Sequence, residues 1–242
     1  MTTLTILVTG GSSASGIAVA RALGAAGHRV LTVGSDDVRI KAAATEAGNG
    51  ATPLVSDLSS LESVRELAAS VRDLGIEGVD GVIHLVGGWR GAKGIEDQTD
   101  EDWESMERSA VTTLRNVSRV FYSQVEESPH GRFAMVSSTT AAAPTAVAAS
   151  YAAAKAAAEA WTLAVADGFR RAQSGNPESP TGQHSAAVIF VVKALVDPAM
   201  REAHPERRFP GFTDVEELAA AAVGLFEQPA ATLNGQRILL AK

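Results

Sequence analysis

Thr5-Ile-Leu-Val-Thr-Gly-Gly-Ser-Ser-Ala-Ser-Gly-Ile-Ala-Val-Ala-Arg-Ala-Leu23 is the stretch that decides the fold. Leu4 to Val8 is a short apolar run, read as a buried strand. Thr9 to Gly16 is a Gly/Ser turn, and Ile17 to Leu23 follows as a helix that ends near Gly24 or Gly27. A glycine-rich turn between strand and helix lets backbone N–H groups approach a pyrophosphate, and the helix dipole adds favourable charge. The spacing is T-G-x-x-x-A-x-G rather than G-x-G-x-x-G. Taken alone, it also fits a plain turn.

Outward from this unit, strand and helix patterns alternate, which argues for a mostly parallel sheet with helices on both faces. Strands are expected at Arg29–Val33, Ala51–Val55, Val79–Val86, Arg132–Val136, Ala186–Val192 and Arg237–Leu240. A helix runs from the Ser56-Asp57-Leu58 turn to about Asp73, and a long one from an Asp100 cap to about Glu127. Another spans about Ala149 to Arg171, and a last one runs from Thr213 to about Phe226, opened by Thr213-Asp-Val-Glu216 as a capping box. Gln173 to His184 is a mobile surface loop, and Ala194 to Phe212 is an irregular segment with three prolines. Neither an internal repeat nor a domain linker is visible, so residues 1–242 are read as one domain.

The chain is 45% hydrophobic and 20% charged, ordinary for a globular protein, and its net charge of −7 comes without a basic block. Nucleic acid and anionic membranes are therefore not expected partners. There is no cysteine, which excludes disulfides and thiolate chemistry, and the five histidines lack metal-ligand spacing, so no metal is expected. The N-terminus runs into the first strand without a charged leader, and no run approaches the about 18 apolar residues of a membrane span. A cytoplasmic location is the expectation.

The chemistry concentrates between Ser137 and Lys155. Tyr151 and Lys155 are four apart and share a helix face. An ammonium beside a phenol favours the phenolate and draws its pKa down from about 10. A hydroxyl such as Ser138 alongside can hydrogen-bond a substrate oxygen while the tyrosine exchanges a proton with it. Elsewhere two readings stay open. Asp57 either meets an adenine amino group or caps the next helix, and Asp36 and Asp37 either face a ribose or simply open their helix. His84, inside a strand, reads as a satisfied core residue.

The Gly-rich turn, Asp57, Gly87 after the fourth strand, Ser138 after the fifth, and Tyr151/Lys155 on the next helix occur here in the order and spacing of one family. From Thr5 to Leu240 the chain resembles the classical short-chain dehydrogenase/reductases. The resemblance implies a three-layer α/β/α Rossmann fold with a seven-stranded, mostly parallel sheet in the order 3-2-1-4-5-6-7. It implies Tyr151 as general acid/base, Lys155 lowering its pKa and holding the nicotinamide ribose, and Ser138 polarising a substrate carbonyl. Thr9, Gly10, Ser12, Ser13, Gly16 and Ile17 would form the pyrophosphate turn, with Asp57 and Leu58 at the adenine and Gly87 at the adenosine ribose. It also places Gly34 at the NAD-selective acidic position and Ser35 at a slot often basic in NADP users. The cofactor is NAD or NADP, with a slight lean to NADP.

Three departures cluster near the nicotinamide. His84-Leu-Val-Gly87 replaces the family's N-N-A-G, Ala110 stands where a catalytic Asn is usual, and Lys193-Ala-Leu-Val-Asp197 replaces a P-G turn. The leading expectation is an NAD(P)-dependent oxidoreductase interconverting a carbonyl and a secondary alcohol. The alternative is a dinucleotide-binding protein with little or no turnover. A small carbonyl or alcohol substrate, a lid at about 194–212 and a homodimer or homotetramer paired through the two long helices complete the expectations.

Overall fold

A computed structural model describes residues 2–175 and 182–241. β1 (Thr5–Thr9), β2 (Arg29–Gly34) and β3 (Thr52–Val55) alternate with α1 (Ala14–Ala25), α2 (Asp37–Ala47) and α3 (Leu61–Asp73). β4 (Gly81–His84) leads through α4 (Asp100–Met106), a π-helical turn (Glu107–Thr112) and α5 (Thr113–Glu127) to β5 (Arg132–Ser138). Then come α6 (Ala149–Ala172) and β6 (Ala186–Val192). β7 (Leu195–Val196), α7 (Pro198–Ala203), β8 (Thr213–Asp214), α8 (Val215–Gly224), α9 (Ala230–Leu233) and β9 (Arg237–Leu239) follow in that order.

Seven strands form one sheet in the order β3-β2-β1-β4-β5-β6-β9, and every pairing in it is parallel. Parallel strands need covered faces, and the sequence supplies them with apolar residues on both. Along β1, Ile6 and Val8 pack with α1 and α8, while Leu7 packs with α3, α5 and α6. Along β6, Val188 and Phe190 take the first face and Ile189 and Val191 the second. The period of two thus divides one strand between two cores.

The strand order reverses direction at β1 and β4, which are neighbours with Thr9 opposite His84. A crevice opens beyond the carboxyl ends at such a switch point. The two loops that leave it are pressed together: a Cβ on Gly10 would lie 2.9 Å from the carbonyl carbon of Leu85. Gly10 also has φ +75°, a backbone that favours glycine.

Several local expectations need correction. The long helix is capped by Thr99, whose Oγ1 accepts from Asp102 N at 3.1 Å, rather than by Asp100. It is interrupted by the π turn, which its smooth apolar periodicity conceals. At α8, Thr213 donates to Leu240 O and Asp214 supplies the cap, accepting from Glu216 N at 3.1 Å. The expected irregular segment holds β7 and α7, because Asp197 accepts from Met200 N and Pro198 stands at the first turn. β7 pairs with β8 in a separate two-stranded sheet, closing the two ends of this segment on each other. Of the expected Gln173–His184 loop, residues 176–181 lie outside the described residues. Its ends are joined by Gln173, whose Oε1 accepts from His184 N and Ser185 N, both at 3.0 Å.

Candidate active site

At the carboxyl end of β1 the turn is closed by its own side chains. Ser13 caps α1: its Oγ accepts from Gly16 N at 3.0 Å and donates to Gly10 O at 2.8 Å. A Cβ on Gly16 would fall 2.4 Å from Gly10 O, so the turn has this shape only with glycine there. The amides of Ala14 and Ser15 open the helix ahead of its internal ladder, where an anion is favoured. Ser12 Oγ is buried and lacks a partner among the described residues, and it would meet a Cβ on Gly34 at 2.6 Å. An orphaned hydroxyl and a bare backbone cradle fit a phosphate-bearing ligand. Ile17 follows in the first turn of α1. Thr9 is different: it is fully buried and its hydroxyl is spent on His84.

That contact explains His84. Thr113 Oγ1 donates its proton to Ser109 O at 2.7 Å, so at 3.2 Å it accepts from His84 Nε2. Nδ1 is then the acceptor for the Thr9 hydroxyl at 2.8 Å. Burial, assisted by the nearby Lys155 charge, lowers the imidazole pKa to about 3. His84 is a neutral, doubly bonded core residue, as its place in a strand suggested.

At the carboxyl end of β2 both acids serve α2. Asp36 caps it by accepting from Arg39 N at 2.8 Å, and Asp37 pairs with Lys41 at 2.8 Å. Ser35 stays exposed at the strand end. Asp57 does not cap α3, because Ser60 does. Its Oδ1 instead accepts from Ser59 N and Ser59 Oγ, forming a tight turn at the rim. A cavity of about 440 Å³ opens there, lined by Asp57, Ser59, Val86, Arg90, Arg108 and Thr113 among others. Leu58, beside it, is buried.

Asn116 proves to hold this rim. Its Nδ2 donates to Leu58 O at 3.1 Å and to Ser59 O at 3.0 Å from inside α5. Asn116→Ala strands these two carbonyls and is expected to cost about 1–3 kcal/mol, read as a lower urea midpoint. Binding of any ligand at this rim should weaken with it, since the Asp57–Ser59 turn loses its anchor.

The third part of the site lies where β5 hands over to α6. Ser138 ends β5, and its Oγ accepts from Thr140 N at 3.2 Å and Thr140 Oγ1 at 2.8 Å. With both lone pairs used, its own proton is turned to the Tyr151 hydroxyl. Ser137 points elsewhere, donating to Glu159 Oε1 at 2.6 Å. Lys155 Nζ donates to Val136 O at 2.8 Å and sits 5.9 Å from the Tyr151 ring centroid. Gly87 makes the space for it: a Cβ there would be 3.2 Å from Nζ. Ser138, Tyr151 and Lys155 are thus brought together, with Gly87 beside them.

The electrostatics differ from expectation. Burial pushes the Tyr151 phenol above its ordinary pKa, against the opposing pull of the Ser138 hydroxyl. Lys155 is itself lowered to about 8 by burial, with Glu159 acting the other way. The ammonium points at a carbonyl rather than at the phenol oxygen, so desolvation outweighs the charge effect that sequence spacing suggests. Ala110 is buried in the π turn and packs with Met106, Ala154 and Tyr151, leaving a methyl where the resemblance implies an amide. Sequence reading missed Thr140, Thr113 and Glu159. Only Glu159 carries a signal, being one further helical turn beyond Lys155.

Comparison with known proteins agrees with the fold. A sequence model described as short chain dehydrogenase matches residues 4–173. A short chain dehydrogenase from Pseudocercospora fijiensis is 30% identical over 158 residues, 63% of this chain and 50% of that protein. The chain therefore spans about half the length of that relative. Among solved structures, an NADPH-bound short chain oxidoreductase from Pseudomonas aeruginosa PAO1 with an atypical catalytic centre superimposes with TM-score 0.82. It is 21% identical, and the match covers 98% of this chain and 95% of that one. An NAD+-bound xylitol dehydrogenase gives TM-score 0.78 at 18% identity, covering 98% and 97%. With its parallel sheet, glycine turn and the model match over most of its length, the chain belongs to the short-chain dehydrogenase family of oxidoreductases.

Proposed function

We propose that the protein is an NAD(P)-dependent oxidoreductase that interconverts a carbonyl and a secondary alcohol, with Tyr151 as the acid/base. The observation that carries this reading is the meeting of Ser138, Tyr151 and Lys155 over Gly87, on the edge of a crevice with a bare backbone turn. The nicotinamide, when bound, supplies or accepts the hydride. Ser138, whose proton faces the Tyr151 hydroxyl, would turn it to the substrate oxygen and orient it. Tyr151, protonated at neutral pH because burial raises its pKa, gives its proton to the oxygen as the carbonyl is reduced. Lys155 stays on the Val136 carbonyl and keeps a cation beside the ring. Gly10 to Ile17 would hold the pyrophosphate, with Ser12 the donor lacking a partner and Thr9 bracing the turn through His84. Ser35, Asp57, Leu58 and Gly87 would flank the adenosine.

For the second phosphate of NADP, the exposed Ser35 is the available donor, with Arg39 beside it but 3.7 Å from Asp36, which caps the helix. This supports NADP over NAD. Calorimetric titration with each nucleotide tests it: tighter NAD binding would reverse the preference. Buried, apolar Ala110 favours the second reading, a dinucleotide-binding protein without turnover. Saturable cofactor binding with no Tyr151-dependent change in nicotinamide absorbance, across a broad panel of carbonyls and alcohols, would select it.

We also infer that two or four copies pair through α5 and α6. Trp161, Tyr122 and Arg119 line a shallow cavity of about 320 Å³ on that face, and Arg115 lies 5.3 Å over the Trp161 ring. Light scattering is expected to give a multiple of the chain mass, shifted toward one chain by Arg119→Glu at the rim of this cavity. A wild-type monomer contradicts this pairing.

A further inference from the structure

Below the acid/base pair lies a second polar cluster that the proposed reaction does not use. Tyr151, Lys155 and Glu159 are four residues apart in turn and form one stripe along α6. This stripe runs down beside β5, so Ser138 lies at Tyr151, the Val136 carbonyl at Lys155 and the Ser137 hydroxyl at Glu159. Glu159 is held from two sides. Ser137 Oγ donates to Oε1 at 2.6 Å, while Arg237 of β9 donates from Nε to Oε2 at 2.8 Å and from Nη2 to Oε1 at 3.1 Å. The carboxylate side chain is 13% exposed and the arginine 38%. A two-pronged arginine contact on a nearly buried carboxylate fixes position as well as charge.

The charges that face Lys155 are few. From its own helix come Tyr151 and Glu159, and from β4 the neutral His84. β5 offers the Val136 carbonyl and two hydroxyls, and α4 with the π turn presents Met106 and Ala110 to this part of α6. Arg115 of α5 lies further along, over Trp161. Glu159 is therefore the anion that steadies the buried ammonium, and Arg237 is the cation paired with that carboxylate.

Resting on the reading of Tyr151 and Lys155 as the acid/base pair, we propose that Glu159 is a positioning residue for that pair. Clamped by Ser137 and Arg237, its carboxylate keeps Lys155 cationic inside the protein, and Arg237 sets how strongly it does so. The two charges act in opposite directions. Removing the carboxylate with Glu159→Gln leaves the ammonium opposed by both burial and an unpaired arginine, so Lys155 gives up its proton at lower pH. Removing the arginine with Arg237→Gln unmasks the carboxylate, so Lys155 keeps its proton to higher pH.

The test reads Lys155 directly. The chain has five lysines, so protein enriched with [ε-¹³C]lysine gives a small set of signals, and Lys155→Met assigns the one of interest. Its chemical shift is followed against pH in wild type, Glu159→Gln and Arg237→Gln, with circular dichroism confirming the fold. The midpoint is expected to fall by about half to one unit in Glu159→Gln and to rise by a similar amount in Arg237→Gln. Midpoints that stay put, or move the same way, overturn the proposal. Should Glu159→Gln not fold, the partly exposed Arg237→Gln alone still carries a signed expectation. Turnover is measured alongside. If wild type shows no Tyr151-dependent turnover, the assignment of the reaction fails, while the lysine titration still decides the role of Glu159. If turnover is present, the pH profile of kcat is expected to shift in opposite directions in the two variants, and a common loss of activity at unchanged pH dependence contradicts the positioning role.

Discussion

Lys155→Met is expected to stabilise the protein by about 2 kcal/mol at pH 7 while removing its turnover. The ammonium is buried, and burial brings its pKa down to about 8. An unfolded lysine titrates near 10.4, so holding the charged form inside costs about 3 kcal/mol. Methionine forgoes the hydrogen bond to Val136 O, which offsets roughly 1 kcal/mol of the gain. Below about pH 8 the folded and unfolded chains both carry the proton and the cost is fully present. Between about 8 and 10.4 the unfolded chain binds more protons, so wild-type stability rises with pH across that window. The advantage of the methionine variant should therefore be largest at neutral pH and should fade above about pH 10. Urea unfolding at both pH values measures it. A variant less stable than wild type at pH 7 would mean that the ammonium contributes to folding rather than opposing it. Such a trade, with stability given up for a charged group at the reacting position, is common at functional sites.

Tyr151→Phe should lower kcat by about 10²–10⁴-fold, the range for loss of a positioned acid/base, and leave cofactor affinity within a small factor of wild type. The phenol is partly buried, and the ring that packs against Ala110, Met106 and Ala154 is kept in phenylalanine. Only the hydroxyl beside Ser138 is lost. Wild-type pH dependence carries a sign as well. Because burial holds the Tyr151 pKa above its ordinary value, the protonated form persists through neutral and mildly alkaline pH. Carbonyl reduction should be level at neutral pH, change where Lys155 gives up its charge near pH 8 and fall away as pH passes the raised phenol pKa, whereas alcohol oxidation should climb over the alkaline range. Steady-state rates in both directions from neutral to alkaline pH check this. Oxidation that is already maximal at neutral pH would contradict a raised phenol.

Much of the fold is legible in the sequence because its determinants are local and repeated. The Val/Ile/Leu runs of β1, β2 and β6 admit burial on both faces, and the turn from Thr9 to Gly16 needs glycine at Gly10 and Gly16 for close backbone approach. The seven-stranded order follows the expectation, and Ser138, Tyr151 and Lys155 meet as their spacing suggests. Choices between adjacent candidates were less legible. Thr99 and Asp100 are both good caps, as are Asp57 and Ser60, and which one the chain uses depends on where the preceding loop arrives. The π turn has no residue signature in Glu107–Thr112, since an extra residue in a helix is accommodated by packing around it. Asn116 looked unassigned because its two acceptors lie 58 and 57 residues away in the chain.

The direction of the Tyr151 shift was the least legible feature. Four-residue spacing says that a lysine is near a tyrosine, but not which way its ammonium points. Here Nζ turns to the Val136 carbonyl, and the depth of the pair, set by Gly87 and Ala110, decides the balance. A methyl at Ala110 also leaves the inner side of the π turn without a polar group, so Tyr151 faces an apolar wall there rather than an amide. Ser138, Tyr151 and Lys155 thus meet in a drier setting than their spacing alone implies.

Hydride transfer itself is the most direct test. Reduced NADP carrying deuterium at C4 of the nicotinamide is incubated with a panel of small ketones and aldehydes, and the products are read by mass spectrometry for wild type and Tyr151→Phe. Wild type is predicted to yield an alcohol one mass unit heavier, labelled at the carbinol carbon, with little or none from the variant. Cofactor that binds to wild type but delivers no deuterium to any carbonyl, or equal labelling by the two proteins, would contradict the assignment of this site to Tyr151-dependent carbonyl reduction.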